Sequence, residues 1–157
     1  MNKLFNFKKL KEKKSKKVLI LTPTSSNEVG TTKWLSANLG IERLTGNVKN
    51  HGHYAETFDT NFHAIINTSI TLEKKLKERK WDVIGFSVLD DTIAQGIGNI
   101  ILAAKLCPDS LIIARGTGAQ FDYQTLLDKS PAKIVVLGEG EELWNPLRKY
   151  SYAVSDI

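Results

Sequence analysis

A chain of 157 residues, 41% hydrophobic and 25% charged, is long enough to bury one sizeable core and too apolar to stay disordered. Its net charge of +5 is local: residues 1–17 carry eight lysines and one glutamate, or +7, while the other 14 basic and 16 acidic residues sum to −2. The basicity belongs to an arm, residues 1–16, read as a solvated, disordered leader, and no nucleic-acid partner is expected for the body.

One cysteine, Cys107, excludes an internal disulfide and any iron–sulfur cluster held by this chain alone, and fits a reducing, cytoplasmic setting. The apolar run after the lysines, Val18-Leu19-Ile20-Leu21, stops at Thr22-Pro23 and is too short for a signal-peptide core or a membrane span.

That run reads as a first buried strand, residues 17–22. Trp34, Ala37, Ile41, Leu44 and Val48 then fall three or four apart, on one face of a helix closed by the turn His51-Gly52-His53. Residues 54–58 form a second strand. Ile66, Ile70, Leu72 and Leu76 mark a second amphipathic helix. The continuous apolar stretch 81–86 is a third strand, and Ile93, Ile97, Ile100, Ile101 and Ala104 place a third helix that ends before Pro108. A fourth strand spans 111–114, a short helix 123–127, a fifth strand 134–137 and a last helix 141–150. Residues 151–157 are left as a tail or the start of a linker.

Strict alternation of helices with continuous apolar strands predicts an α/β domain over residues 17–150, doubly wound around a five-stranded parallel sheet covered on both faces. Right-handed crossovers and five strands favour the flavodoxin-like (Rossmann-like) order 2-1-3-4-5. In such a sheet, segments leaving the strands lie on one rim and segments entering them on the other. The entering segments are plain turns. The leaving segments, 22–30, 59–63, 87–91, 115–120 and 138–141, hold glycine, serine, threonine and acids, residues that bring backbone close to a ligand or donate short hydrogen bonds. Ligands of open α/β sheets bind on that rim. Helix N-termini also want such residues, which accounts for Asp90 and Asp91 but less well for Arg115-Gly116-Thr117-Gly118 or Gly138-Glu139-Gly140-Glu141.

The string Leu137-Gly138-Glu139-Gly140-Glu141-Glu142, closing a five-strand unit, resembles the end of the cobalamin-binding domain found N-terminal in many radical S-adenosylmethionine enzymes. Three further stretches agree: Trp81-Asp82-Val83-Ile84-Gly85-Phe86-Ser87 with that family's third strand, Tyr54-Ala55-Glu56-Thr57-Phe58-Asp59 with its second, and Ser87-Val88-Leu89 with the Ser-x-Leu element of cobalamin-binding domains. The resemblance covers roughly residues 17–150, and only the Gly-Glu-Gly-Glu string is fairly specific. It implies a corrin ring over the strand ends and a nucleotide tail descending beside the sheet, past Ser87, Val88 and Leu89 and past Gly116, Thr117 and Gly118. Ser87 would hydrogen-bond the tail, and Gly96 and Gly98 would thin the third helix beside it. The site residues so implied are Thr24, Ser25, Asp59, Ser87, Val88, Leu89, Asp90, Gly116, Thr117, Gly118, Gly138, Glu139 and Gly140.

Two departures qualify what is carried over. The first leaving loop has no Asp-x-His-x-x-Gly, so no histidine ligand to cobalt is expected from it, and His63, in the second, reads as an ordinary surface histidine. Arg115 stands where the family has small residues, and would meet a phosphate or propionamide or pair with Asp90 or Glu139. The Cys-x-x-x-Cys-x-x-Cys motif of radical chemistry is absent, as is a nucleophile–base pair, so binding without turnover is expected of this chain, acting as an excised domain or a carrier for a catalytic domain in cis or trans. Two other readings share the fold. A flavin-binding electron carrier would want a Thr-x-Thr-Gly-x-Thr loop where this chain has Thr22-Pro23-Thr24-Ser25-Ser26-Asn27, and a ligand-free interaction domain would leave Arg115 and the basic arm as its main features.

Overall fold

In the first strand, β1 (Lys17–Thr22), Val18 and Ile20 point to one face and Leu19 and Leu21 to the other, and all four are buried. A strand apolar on both faces must be covered on both, and that requirement organises the fold. The computed structural model describes residues 15–23, 38–65, 71–138 and 151–154.

Helix α1 (Leu39–Asn50) starts where Asn38 accepts hydrogen bonds from the backbone N–H groups of Gly40 and Ile41, and it buries Ile41, Leu44 and Val48. The spacing read for Ile41, Leu44 and Val48 holds; Trp34 and Ala37 lie outside the described residues. Strand β2 (Tyr54–Asp59) follows, and helix α2 (Thr60–Ile65) begins directly at its end, where a loop was expected. Thr71 caps the separate helix α3 (Leu72–Lys77), which carries Leu72 and Leu76; Ile66 and Ile70 are outside the described residues.

Strand β3 (Val83–Ser87) leads through a 3-10 turn (Asp90–Thr92) into α4 (Ile93–Leu106), then β4 (Leu111–Arg115). Two short helices, α5 (Thr117–Phe121) and α6 (Tyr123–Lys129), replace the single one expected, and β5 (Ile134–Leu137) closes the parallel set. The last helix read from the sequence, 141–150, falls outside the described residues.

The five strands are parallel in the order β2-β1-β3-β4-β5, the doubly wound flavodoxin-like arrangement expected. One element differs. Residues 151–154, read as tail or linker, form β6 (Ser151–Val154), which pairs antiparallel with β5 and makes the described sheet six-stranded. Four residues, Ser151-Tyr152-Ala153-Val154, are too short a stretch to announce an edge strand.

One face of the sheet packs Val18, Ile20, Val83, Ile113 and Val136 toward α1. The other packs Leu19, Leu21, Ile84, Phe86 and Ile112 against Leu76 of α3, Ile100 and Ala103 of α4 and Leu126 of α6. Burying each of the larger aliphatic side chains contributes about 1.5–3 kcal/mol, which makes these two layers the main stabilising term. No helix among the described residues is long and apolar enough to cross a membrane.

Candidate functional site

All five parallel strands end on one rim, at Thr22, Asp59, Ser87, Arg115 and Leu137. Ser87 and Arg115 are register partners on β3 and β4, so their side chains leave the sheet side by side on the α1 face. Below them, on the same face, the period of two brings up Gly85 and Val83 from β3 and Ile113 from β4. Together with Val18 and Ile20 of β1, Val136 of β5 and Leu44 of α1, these residues line a shallow groove, about 30 Å³ in volume, that is open to solvent. That is room for about one water, so a larger ligand would lie along the groove and not inside it.

Gly85 opens this groove. It sits in the middle of a central strand, where a glycine weakens the ladder and leaves nothing to pack. Space does not demand it: a Cβ there would meet Ile20 and Leu19 only at 3.9 Å, ordinary van der Waals contact. The sequence carries a signal for it, a glycine interrupting the apolar run Val83-Ile84-Gly85-Phe86.

The guanidinium of Arg115 is the other unusual feature of the groove. Its Nε and Nη1 are buried and have no hydrogen-bond partner among the described residues, and no ion pair to Asp90 forms. Asp90 instead lies exposed in the 3-10 turn, which is held by Thr92 accepting from the Leu89 N–H at 2.8 Å.

The structure distributes the sequence-predicted site residues unevenly. Ser87 enters the groove. Leu89 is exposed on the rim. Val88 is fully buried in the opposite layer, so its side chain has no access to the groove. Gly116 and Gly118, expected to make room for a ligand tail, make room for the protein's own backbone. A Cβ on Gly116 would lie 2.2 Å from the Val88 carbonyl oxygen, and one on Gly118 would lie 2.4 Å from that of Leu89. Thr117 is exposed at the start of α5.

Asp59 also serves the fold. Its Oδ1 accepts from Thr22 Oγ1 at 3.1 Å and from the Phe62 N–H at 3.2 Å, which ties β1 to β2 and caps α2. Gly138 is exposed at a φ of +114°, a conformation that disfavours side chains, directly after β5. Thr24, Ser25, Glu139 and Gly140 lie outside the described residues.

Gly96 and Gly98 are not beside the groove, because α4 covers the opposite face. Gly96 accommodates Val88, whose methyls would lie 3.0 and 3.1 Å from a Cβ, and Gly98 faces open space. His63 is half-buried and stacked on Phe58 with ring centroids 4.4 Å apart.

The rim is apolar as well as polar. Leu39 at the start of α1 is 77% exposed and Phe121 at the end of α5 is 79% exposed, and Phe62 and Leu89 are also exposed there. Reactive groups are fewer. Cys107 lies on the opposite rim with its thiol donating to the Leu76 carbonyl, and burial pushes its pKa up, away from thiolate character. Among the described residues no three histidine, cysteine or acidic side chains gather as a metal site. What this arrangement offers is concave apolar surface, one hydroxyl and one half-buried cation with two donors unpartnered among the described residues: the parts of a binding site.

Fold and groove together define a doubly wound α/β domain with an open pocket on its α1 face, running under the carboxyl rim. No known protein family and no curated protein sequence matches the chain.

Proposed function

We propose that this domain binds cobalamin, with the corrin ring over the carboxyl rim and the nucleotide tail lying along the groove past Ser87. In this reading it is the corrinoid module of a cytoplasmic radical S-adenosylmethionine enzyme, a methyltransferase by class, whose iron–sulfur domain acts in cis or in trans. The observation that carries the reading is Gly85: a glycine in a central strand, not required by packing, that hollows the sheet face directly below Ser87. A flat apolar group needs such a floor, and Val18, Ile20, Ile113 and Val136 supply its apolar lining. The exposed Leu39, Phe62, Leu89 and Phe121 are the kind of rim a macrocycle covers.

The groove route replaces part of the path expected from sequence. The tail passes Ser87 and Gly85 on the α1 face, and Gly116 and Gly118 hold the rim together behind it.

The test is a titration of the purified chain with hydroxocobalamin, followed by desalting and visible absorbance. Corrinoid retained with a spectrum shifted toward the base-off form supports the reading. Complete loss of corrinoid on desalting, at tens of micromolar protein, overturns it. Flavin absorbance on the protein as purified would put a flavin carrier of the same fold in its place.

A further inference from the structure

Helix α4 is apolar on both of its sides. Its 14 residues include one charged side chain, Lys105. Ile100 and Ala103 turn toward the core, as expected of a covering helix. Its outward side holds Ala94, Gly98 and Ile101, all exposed, with Ile101 50% exposed. A helix on the surface of a lone domain carries polar residues on that side. Gly98 sharpens the point. A glycine inside a helix weakens it relative to alanine, and no contact within the domain requires one here, since a Cβ would stand in open space. Gly96 makes room for Val88, whereas the use of Gly98 lies outside the domain. A bare stretch of backbone lets a second helix pack at short distance.

Charge identifies that second helix. The outward residues run Asp91, Ala94, Gly98, Ile101 and Lys105, all exposed and spaced three and four apart in turn, the repeat of a helix–helix seam. Asp91 stands in the 3-10 turn that opens α4 and Lys105 in its last turn. Each is about 10 Å from Gly98, on opposite sides of it. A stripe with opposite charges equidistant from its centre is complementary to its own reverse. We infer that α4 docks against α4 of a second copy of this chain, antiparallel, about a two-fold axis at Gly98. Lys105 of each copy then meets Asp91 of the other, and Ile101 of each packs over the small Ala94 of the other. A parallel pairing would set lysine on lysine and aspartate on aspartate, which the charges disfavour. The antiparallel pairing also opposes the two helix dipoles. The contact is isologous, so it closes at two copies.

Helices α3 and α6 flank α4. Their exposed Glu73, Lys77, Gln124 and Asp128 give the apolar stripe a polar border, the arrangement of a protein interface. A seam about 21 Å long is small for a specific interface, so the expected dimer dissociates in the micromolar range. Because α4 covers the sheet face opposite the groove, the seam leaves Ser87 and Gly85 open. The inference therefore stands whether or not a corrinoid binds.

The test is sedimentation velocity of the full chain from about 5 to about 300 micromolar, for the parent chain and for Ile101→Glu, Lys105→Glu and Asp91→Lys. The parent chain is expected to pass from monomer to dimer across that range. Ile101→Glu should weaken the dimer by about tenfold or more, and each charge reversal should weaken it by about tenfold, since each acts twice in a symmetric pair. Mixing Lys105→Glu with Asp91→Lys should restore dimers, because both reversed contacts then join opposite charges. Melting midpoints of the variants, compared with that of the parent chain at low concentration, separate loss of the seam from loss of the fold. A parent chain that remains monomeric at about 300 micromolar overturns the inference. So does a dimer that folded Ile101→Glu leaves intact, which places the contact elsewhere. If the mixture of the two folded charge variants stays monomeric while the parent chain dimerises, the antiparallel pairing is wrong.

Discussion

Gly116 and Val88 are locked backbone to backbone: a Cβ on Gly116 would lie 2.2 Å from the Val88 carbonyl oxygen, at a φ of +112° that side chains rarely adopt. Two hydrogen bonds hold the approach. The Val88 N–H donates to the Arg115 carbonyl at 2.6 Å, and the Gly118 N–H donates to the Val88 carbonyl at 3.2 Å. The contact fixes the segment after β3 against the segment after β4, and so sets Ser87 beside Arg115 at the groove mouth. Gly116→Ala meets both the steric and the conformational obstacle and is expected to lower stability by roughly 2–4 kcal/mol. Urea unfolding measures it. A loss below about 1 kcal/mol would mean that the two segments separate easily.

The two glycines of α4 separate in the opposite sense. Gly98 is exposed in a helix interior, with open space where a Cβ would stand, so Gly98→Ala is expected to stabilise by about 0.5–1 kcal/mol. At Gly96 the methyls of fully buried Val88 would lie 3.0 and 3.1 Å from the new carbon, and crowding offsets the gain in helix propensity. Thermal unfolding of the two variants should show a higher midpoint for Gly98→Ala alone. Equal gains would show that Val88 shifts without cost.

These contrasts mark what the sequence could reveal. Continuous apolar strands such as Val18-Leu19-Ile20-Leu21 and the helical spacing of Ile41, Leu44 and Val48 announce a two-faced sheet and its cover, because burial acts through residue type and period. Glycine is ambiguous by nature. Gly116 and Gly118 look like space for a ligand, yet the space is filled by a neighbouring backbone that sequence alone does not place. Gly85 looks like part of a strand, yet it opens the groove. Asp59 looks like a rim acid, yet it caps α2 and bonds Thr22. Arg115 was legible as an anomaly. Its orphaned donors emerge only once β3 and β4 lie in register.

On the opposite edge of the sheet, Glu56 of β2 is ion-paired with Lys75 and Arg79 and accepts from the Tyr54 hydroxyl. Burial raises its pKa, but the hydrogen bonds from Lys75 and Tyr54 outweigh it and hold the carboxyl below the usual range. A depressed carboxylate pKa stabilises the fold above the unfolded value, about 4.3, and that contribution is lost as pH falls through the folded one. Lys75 is shifted up: burial opposes the shift, and hydrogen bonds to Glu56 and Glu78 overcome it, so its contribution fades only in strong alkali. Glu56→Gln is therefore expected to cost about 1–2 kcal/mol across neutral pH, with the gap to the parent chain closing below about pH 4. Urea unfolding from acid to neutral pH checks this; a gap that does not change with pH would assign the loss to packing.

The groove itself is tested most cleanly at Gly85. A Cβ there meets nothing closer than 3.9 Å, so Gly85→Val fits the strand, restores a β-branched residue to a central position and places its methyls in the groove. Stability should hold or rise, by up to about 1 kcal/mol. Retention of hydroxocobalamin after desalting should fall by about tenfold or more, since filling a pocket forces the ligand or the sheet to move. Ser87→Trp should block the same path from the mouth, but Ser87 is buried, 8% exposed, and an indole there displaces its neighbours, so that variant is read together with its melting midpoint. Because Gly85→Val is expected to keep the fold, loss of binding in that variant would reflect the site and not unfolding. If Gly85→Val retains corrinoid as well as the parent chain does, the tail does not lie in this groove, and a bound corrinoid would have to rest on the rim alone.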